Sequence, residues 1–269
     1  MSHNASPALD ARVERLREIA HADPRIEGVL LYGSWTLGEA DAHSDIEAYL
    51  YLREDDLPAF DGPAFLAALG PLELAHTNIH GILAVVFDDL MRGEFHLSPA
   101  GAGIDEIDTW AGLVHLPDPD RAVLLDRTGR LTAVARGLAT FRPPEPGPTA
   151  QHLVDELANW TLMVAHVLDR GENARAHSAL HTTVSPLQLR LCRLLRGSTA
   201  HWLTPSRALE ADLAAADRDR HARTLGPDIR AAARNSWRWS RELAAEASRR
   251  WGTRVPERLH ERISEMVAG

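Results

Sequence analysis

The sequence predicts an α+β protein, with a mixed-sheet domain of strands and helices followed by an all-helical bundle. Three observations carry that reading. Through the first half, short β-like apolar runs follow amphipathic helical stretches. Residues 141–149, FRPPEPGPT, then place four prolines in nine positions and read as a stiff linker. Beyond it helix formers dominate and no strand-like alternation returns. The expected domains are therefore residues 1–141 and residues 149–269.

The elements follow in order. Residues 8–22 place Leu9, Val13, Leu16 and Ile19/Ala20 on one stripe, the pattern of an amphipathic helix. EGVLLY, residues 27–32, is a buried strand that ends at Gly33. In DGPAFLAALG, Asp61 is the expected N-cap, Pro63 sits in the first turn and Gly70 stops a short helix. LELAHT, ILAVVFD, EFHL and AVLLD are β-like, and a helix is expected over 130–140. In the second half, residues 150–171 carry Leu153, Leu157, Trp160, Leu162/Met163 and Val167 at helical spacing. Ser185-Pro186 and Thr204-Pro205 each look like a cap followed by proline at the first helical position. Tryptophans 160, 202, 237, 239 and 251 suit bundle core or helix seams.

Composition bounds the function classes. The chain has 269 residues, a formal charge of −9 and a pI near 5.8, which disfavours a broad basic surface for nucleic acid. It contains no lysine, so every fixed cation is arginine, a compositional bias that also suits bidentate phosphate contacts. Cys192 is the one cysteine, which excludes an intrachain disulfide and a cysteine-rich zinc site, and it reads as a buried thiol. The fourteen histidines show no metal-ligand spacing. No N-terminal apolar region or membrane-length run is present, so a soluble cytoplasmic protein is expected.

The stretch YGSWTLGEADAHSDIEAYLYL, residues 32–52, carries the chemistry. Alternation along DIEAYLYL sends Ile46, Ala48, Leu50 and Leu52 to one face and Asp45, Glu47, Tyr49 and Tyr51 to the other. Neighbouring carboxylates repel and lose hydration unless a cation lies between them. Mg²⁺ completed by water and phosphate oxygens supplies one, while a solvated acidic edge strand is the alternative. The preceding Gly33 permits a tight turn, and Ser34 is expected to open a short polar helix whose N–H groups meet a phosphate.

A strand, Gly-Ser, ten residues (35–44), then Asp-hydrophobic-acid-hydrophobic resembles the hallmark of the polymerase-β-like nucleotidyltransferase superfamily. Gly33, Ser34, Asp45, Ile46, Glu47 and Ala48 match it. With VVFDDLMRGEFHL and NWTLMVAHVLDRGENARA in the same order, residues 10–265 look like the lincosamide nucleotidyltransferases, which modify lincomycin and clindamycin. The resemblance implies an N-terminal nucleotidyltransferase domain, a helical C-terminal domain, and Mg²⁺-dependent transfer of AMP from ATP to an antibiotic hydroxyl. On that basis Asp45 and Glu47 hold the metal, and Gly33 and Ser34 hold the β- and γ-phosphates. The superfamily's third carboxylate, a metal ligand or general base, is assigned to Glu94, which starts the next strand and matches the family's RGEFH element; Asp88 and Asp89 are the alternatives. His96 shares the face of Glu94. Arg92, Arg170 and Arg175 are the candidate triphosphate partners. A nucleoside triphosphate and a small-molecule acceptor are the expected partners, with no nucleic acid or membrane, and a homodimer is allowed. An aminoglycoside or another metabolite as acceptor, or a toxin-antitoxin enzyme acting on protein, are the rival readings; the covalently attached helical domain argues against the last.

Overall fold

The computed structural model describes residues 6–268, and the ends of the two expected domains, 1–5 and 269, lie outside them. The chain divides into two compact units between Arg142 and Pro143, each with its own core.

The first unit is built on a six-stranded mixed sheet. Helix α1 (Pro7–Ala22) leads into β1 (Ile26–Leu31) and β2 (Ile46–Leu52), and the short helix α2 (Gly62–Leu66) follows. Strands β3 (Leu72–Thr77), β4 (Leu83–Phe87) and β5 (Arg92–Pro99) come next, then α3 (Ala100–Glu106), α4 (Pro119–Ala122), β6 (Val123–Asp126) and α5 (Arg130–Ala135). The strand order is β3-β4-β5-β2-β1-β6. All neighbours are antiparallel except β2 and β5, which run parallel and meet at the middle of the sheet.

Helix α1 forms because its apolar residues recur every three to four positions. Leu9, Val13, Leu16 and Ala20 are all buried, in one core with Val29, Leu31, Ile46, Ala48 and Leu50. Burying each such leucine is worth about 2 kcal/mol on transfer alone. The last turn of α1 is closed by a residue remote in sequence. Arg127 Nη2 donates to the carbonyls of His21 at 2.9 Å and Asp23 at 3.2 Å, and its Nε to that of Ile26 at 2.8 Å. Helix α2 starts as the sequence predicts: Asp61 accepts from the Ala64 N–H at 3.0 Å. The opposite face of the sheet carries Leu30, Tyr49 and Tyr51, packed with Ala100, Ile104 and Ile107.

The second unit has helices joined by turns and no strand among its described residues: α6 (Pro146–Asp169), α7 (Asn173–Ala179), α8 (Ser185–Arg196), α9 (Leu209–Asp212), α10 (Ala215–Arg223), α11 (Ile229–Trp251) and α12 (Glu257–Ala268). Three local expectations are corrected here. The linker ends earlier than 149, because Pro146 and Pro148 fall in the first turn of α6, where a missing N–H costs nothing. Ser185 is not a cap: it is the first residue of α8, the cap position falls at Val184, and a π-helical turn, Leu180–Val184, joins α7 directly to α8, with Pro186 accommodated just past that widened turn. Thr204-Pro205 marks a turn, with Arg207 N–H bonded to the Thr204 carbonyl at 2.9 Å, and the helix waits until Leu209.

The reason for the last correction is Arg193, which is fully buried in α8. Its guanidinium donates to the carbonyls of Pro205 at 2.8 Å and Ser198 at 3.3 Å and to Asp212 Oδ2 at 2.6 Å. The segment 198–212 is thereby wrapped around one arginine, which satisfies a buried charge and overrides the local capping signal. Gln188 faces Ser236 and Ser240 in the same core, its Nε2 at 2.9 Å from Ser240 Oγ. Trp237 and Trp239 are buried in α11, and Trp160, Trp202 and Trp251 are partly buried against the core. None of the described helices is long and apolar enough to cross a membrane.

Two histidines of this unit are held neutral. Burial lowers the pKa of His221, and the nearby His181 adds to the effect. Burial also lowers that of His260, reinforced by Arg241 and opposed by Glu257 and Asp155. Below the ordinary histidine value of 6.5 the unfolded chain takes up protons that the folded chain resists. Stability is therefore present above that value and lost as pH falls through the lowered folded values. Thermal unfolding of the full chain is expected to shift to lower temperature between about pH 7.5 and about pH 5, and His260→Gln should reduce the shift. An unchanged shift in His260→Gln would show that His260 is not its source.

Candidate active site

The acidic face of β2 is set by its alternation. Ile46, Ala48, Leu50 and Leu52 enter the α1-side core, which leaves Glu47 on the other face with Tyr49 and Tyr51. Asp45 lies one residue before the strand begins. The parallel register puts Glu47 level with Glu94 of β5, and Tyr49 level with His96. Asp88 and Asp89 lie in the β4–β5 turn. Asp89 accepts from the Met91 N–H at 3.1 Å and pairs with Arg12 at 3.2 Å, so its charge is already spent on that turn.

Gly33 joins the turn to the acids. The antiparallel β1–β2 ladder ends with Leu31 opposite Ala48, and the Tyr32 N–H reaches the Glu47 carbonyl at 3.1 Å. At Gly33 the backbone takes φ +77°, and a Cβ there would lie 1.7 Å from Glu47 Oε2. The glycine is needed twice, for its left-handed backbone and for the space the carboxylate occupies. The segment after it is a hydrogen-bonded turn and not the expected short helix: Glu39 N–H bonds to the Ser34 carbonyl at 2.9 Å, and Thr36 Oγ1 to the Gly33 carbonyl at 2.9 Å. Ser34 is buried within it. Trp35 holds the turn in place, its indole N–H on Asp10 of α1 at 2.8 Å and the Arg121 guanidinium 4.0 Å over its ring.

Arg92 bridges two of the acids. Its Nη1 is 2.9 Å from Asp45 Oδ2 and its Nη2 is 2.9 Å from Glu94 Oε1. Burial raises the pKa of Asp45, against the opposing pull of Arg92, and the Glu94 charge raises it further. The two other arginines named from the sequence belong to the helical unit. Arg170 is the C-terminal cap of α6, and Arg175 in α7 pairs with Glu172 at 3.1 Å.

Next to the acids lies an aromatic cluster. His96 Nε2 is 3.1 Å from the Tyr32 hydroxyl, and the His96 ring stacks on Tyr49 with centroids 4.0 Å apart. Trp110 closes on Tyr49 at 4.8 Å. Burial lowers the pKa of His96 against the opposing charge of Glu94, so a neutral imidazole is favoured. Burial, with the charges of Glu47 and Glu94, raises that of Tyr32 and keeps its hydroxyl protonated. Sequence reasoning did not single out Tyr32, Tyr49 or Trp110. The alternation that places Tyr49 beside Glu47 was the available signal, whereas nothing local points to Trp110.

All-oxygen carboxylate donors around a single cationic group are a donor set that suits Mg²⁺, and the Arg92 guanidinium already stands where positive charge is wanted between Asp45 and Glu94. Among the described residues no three acidic, histidine or cysteine side chains converge on one point. Asp45 and Glu47 would therefore share such an ion with oxygens from outside the chain.

The sheet unit carries the Gly-Ser turn and the acidic strand, and a helical unit follows it in the chain. Residues 147–266 match the family described as lincosamide nucleotidyltransferase-like, C-terminal domain. No curated protein sequence matches the chain. Among solved structures, an aminoglycoside 6-adenyltransferase from Bacillus subtilis is similar at 13% identity and TM-score 0.42, over 100% of this chain and 98% of that one. A nucleotidyltransferase-like protein from Exiguobacterium sibiricum 255-15 is similar at 13% identity and TM-score 0.36, over 90% of this chain and 77% of that one. Both scores are too low for either protein's activity to bear on this chain.

Gly33→Ala tests the turn. The added methyl must displace the Glu47 carboxylate, and a misplacement of that size is expected to cut kcat/KM about a hundredfold. Circular dichroism and the unfolding midpoint should show the fold retained, and wild-type turnover in a folded Gly33→Ala protein would contradict the placement of Glu47.

Proposed function

We propose that this protein transfers AMP from ATP to a hydroxyl of a lincosamide antibiotic such as lincomycin or clindamycin, releasing pyrophosphate, with Mg²⁺ held by Asp45 and Glu47. The observation that carries this reading is the contact of the Gly33 turn with the Glu47 carboxylate, one register step from Asp45 and level with Glu94. It sets a backbone turn able to receive phosphates directly against acids able to share a cation with them. The family of the helical unit supports the acceptor class.

Each residue has a defined task. The backbone N–H groups at Gly33 and Ser34 meet the β- and γ-phosphate oxygens, and the absent side chain at Gly33 allows that close approach. Asp45 and Glu47 would hold the ion on the acidic face of β2, beside the turn that meets the phosphates. Bound there, Mg²⁺ would supply charge neutralisation of the phosphates and a lowered pKa at the attacking hydroxyl. Glu94 receives the hydroxyl proton as the acceptor oxygen bonds to the α-phosphorus and the bond from that phosphorus to the bridging oxygen breaks in line. Pyrophosphate carries away the electron pair, and no covalent enzyme intermediate is required.

The reading is tested by incubating the protein with Mg²⁺, ATP and a panel of lincosamides, aminoglycosides and control protein, with mass spectrometry for an added AMP. AMP on a lincosamide is the expected result. AMP on an aminoglycoside would retain the chemistry and overturn the acceptor, and AMP on the control protein would overturn the small-molecule reading. Asp45→Asn and Glu47→Gln should each lower kcat/KM by about a thousandfold, the scale of a lost electrostatic contribution to the transition state. Glu94→Gln should leave ATP affinity close to wild type and slow the chemical step in single-turnover measurements; an unchanged rate would remove Glu94 as the base.

A further inference from the structure

Arg92 is an odd neighbour for residues meant to hold a divalent cation. It donates to Asp45 Oδ2, an oxygen of an assigned metal ligand, and at the same time to Glu94 Oε1, the assigned base, each at 2.9 Å. A guanidinium already on that Asp45 oxygen occupies one of its lone pairs and repels a metal ion brought to the same carboxylate. With the arginine in place, Glu94 is also tied to a cation. The arrangement compensates the acidic face but does not leave it ready for chemistry.

We propose that Arg92 is an internal counter-cation of the acidic site, which moves from Asp45 and Glu94 onto the triphosphate when the metal-nucleotide complex binds. The inference rests on the metal and nucleotide assignment given under Proposed function and deepens it, since it makes occupancy by metal depend on nucleotide.

Three features of the chain support it. The backbone under Arg92 is fixed, since Arg92 pairs with Val86 across β4–β5 and a Cβ on the adjoining Gly93 would lie 2.6 Å from Phe95 Cε2 and 3.0 Å from Val85 Cγ2. Only the side chain can travel. That side chain is 56% exposed, so solvent screens its pairs and a divalent ion can compete for the same oxygens. Finally, a planar guanidinium fork that spans two carboxylates fits two phosphate oxygens equally well, which gives the displaced group a new anion. A free metal ion offers it only water. Metal and triphosphate should therefore each tighten the binding of the other, and Arg92 is the link between them.

The test uses Mn²⁺ as the probe, titrated into the full chain and followed by electron paramagnetic resonance, with and without a non-hydrolysable α,β-methylene analogue of ATP. Without nucleotide, Arg92→Met is expected to bind Mn²⁺ on the order of tenfold more tightly than wild type, the equivalent of removing one charge-assisted contact. The analogue should tighten Mn²⁺ binding less in Arg92→Met than in wild type. Arg92→Lys, whose single ammonium cannot span both acids, should fall between the two. Equal Mn²⁺ affinity in wild type and Arg92→Met, with binding abolished by Asp45→Asn, overturns the counter-cation role alone. Mn²⁺ binding indifferent to Asp45→Asn overturns the metal assignment on which the inference rests.

Discussion

The site depends on one steric fact: at residue 33 there is no side chain, and Glu47 fills the space. An oxygen 1.7 Å from where a Cβ would stand means that a side chain at residue 33 displaces the Glu47 carboxylate, and the φ of +77° adds a backbone demand that glycine meets without strain. The rest of the sheet acts to preserve that contact. The antiparallel β1–β2 ladder delivers Gly33 to Glu47, and the parallel β2–β5 pairing brings Glu94 level with it. Trp35, anchored on Asp10, keeps the turn from lifting away.

Much of this was legible in the chain. The alternation from Asp45 to Leu52 needs only the two-residue period of a strand, and it separates the acids from the core residues as the structure does. The α1 stripe, the Asp61 cap and the β-like runs are likewise local patterns, and each became the expected element. What failed locally failed for tertiary reasons. Thr204-Pro205 has the look of a helix start, but the buried Arg193 needs the carbonyl of Pro205 and so holds the segment open. Ser185-Pro186 has the same look, yet the chain was already helical, and a π turn absorbed the proline. The placement of Trp110 on Tyr49 joins residues sixty-one positions apart, 49 and 110, and no short-range period encodes it.

The absence of lysine takes on structural content when three arginines are compared. Arg127 closes the end of α1 with several carbonyls, Arg193 gathers a loop around a buried charge, and Arg92 spans two carboxylates. Each uses several N–H groups of one planar fork at once, which a single ammonium could not do. A compositional bias toward arginine can be its origin, but these three positions have come to require it. At Arg92 the proposed exchange of carboxylate for phosphate draws on the same versatility, because the fork fits either kind of anion.

The most direct test of the account is a crystal structure of the full chain with Mg²⁺ and a non-hydrolysable ATP analogue. The account predicts the β- and γ-phosphates on the Gly33–Ser34 backbone, with the α-phosphate facing Asp45 and Glu47. Nucleotide bound elsewhere, for instance in the cavity of about 460 Å³ lined by Arg220, Arg223, Arg238 and Trp239 of the helical unit, with the Gly33 turn bare, would contradict it.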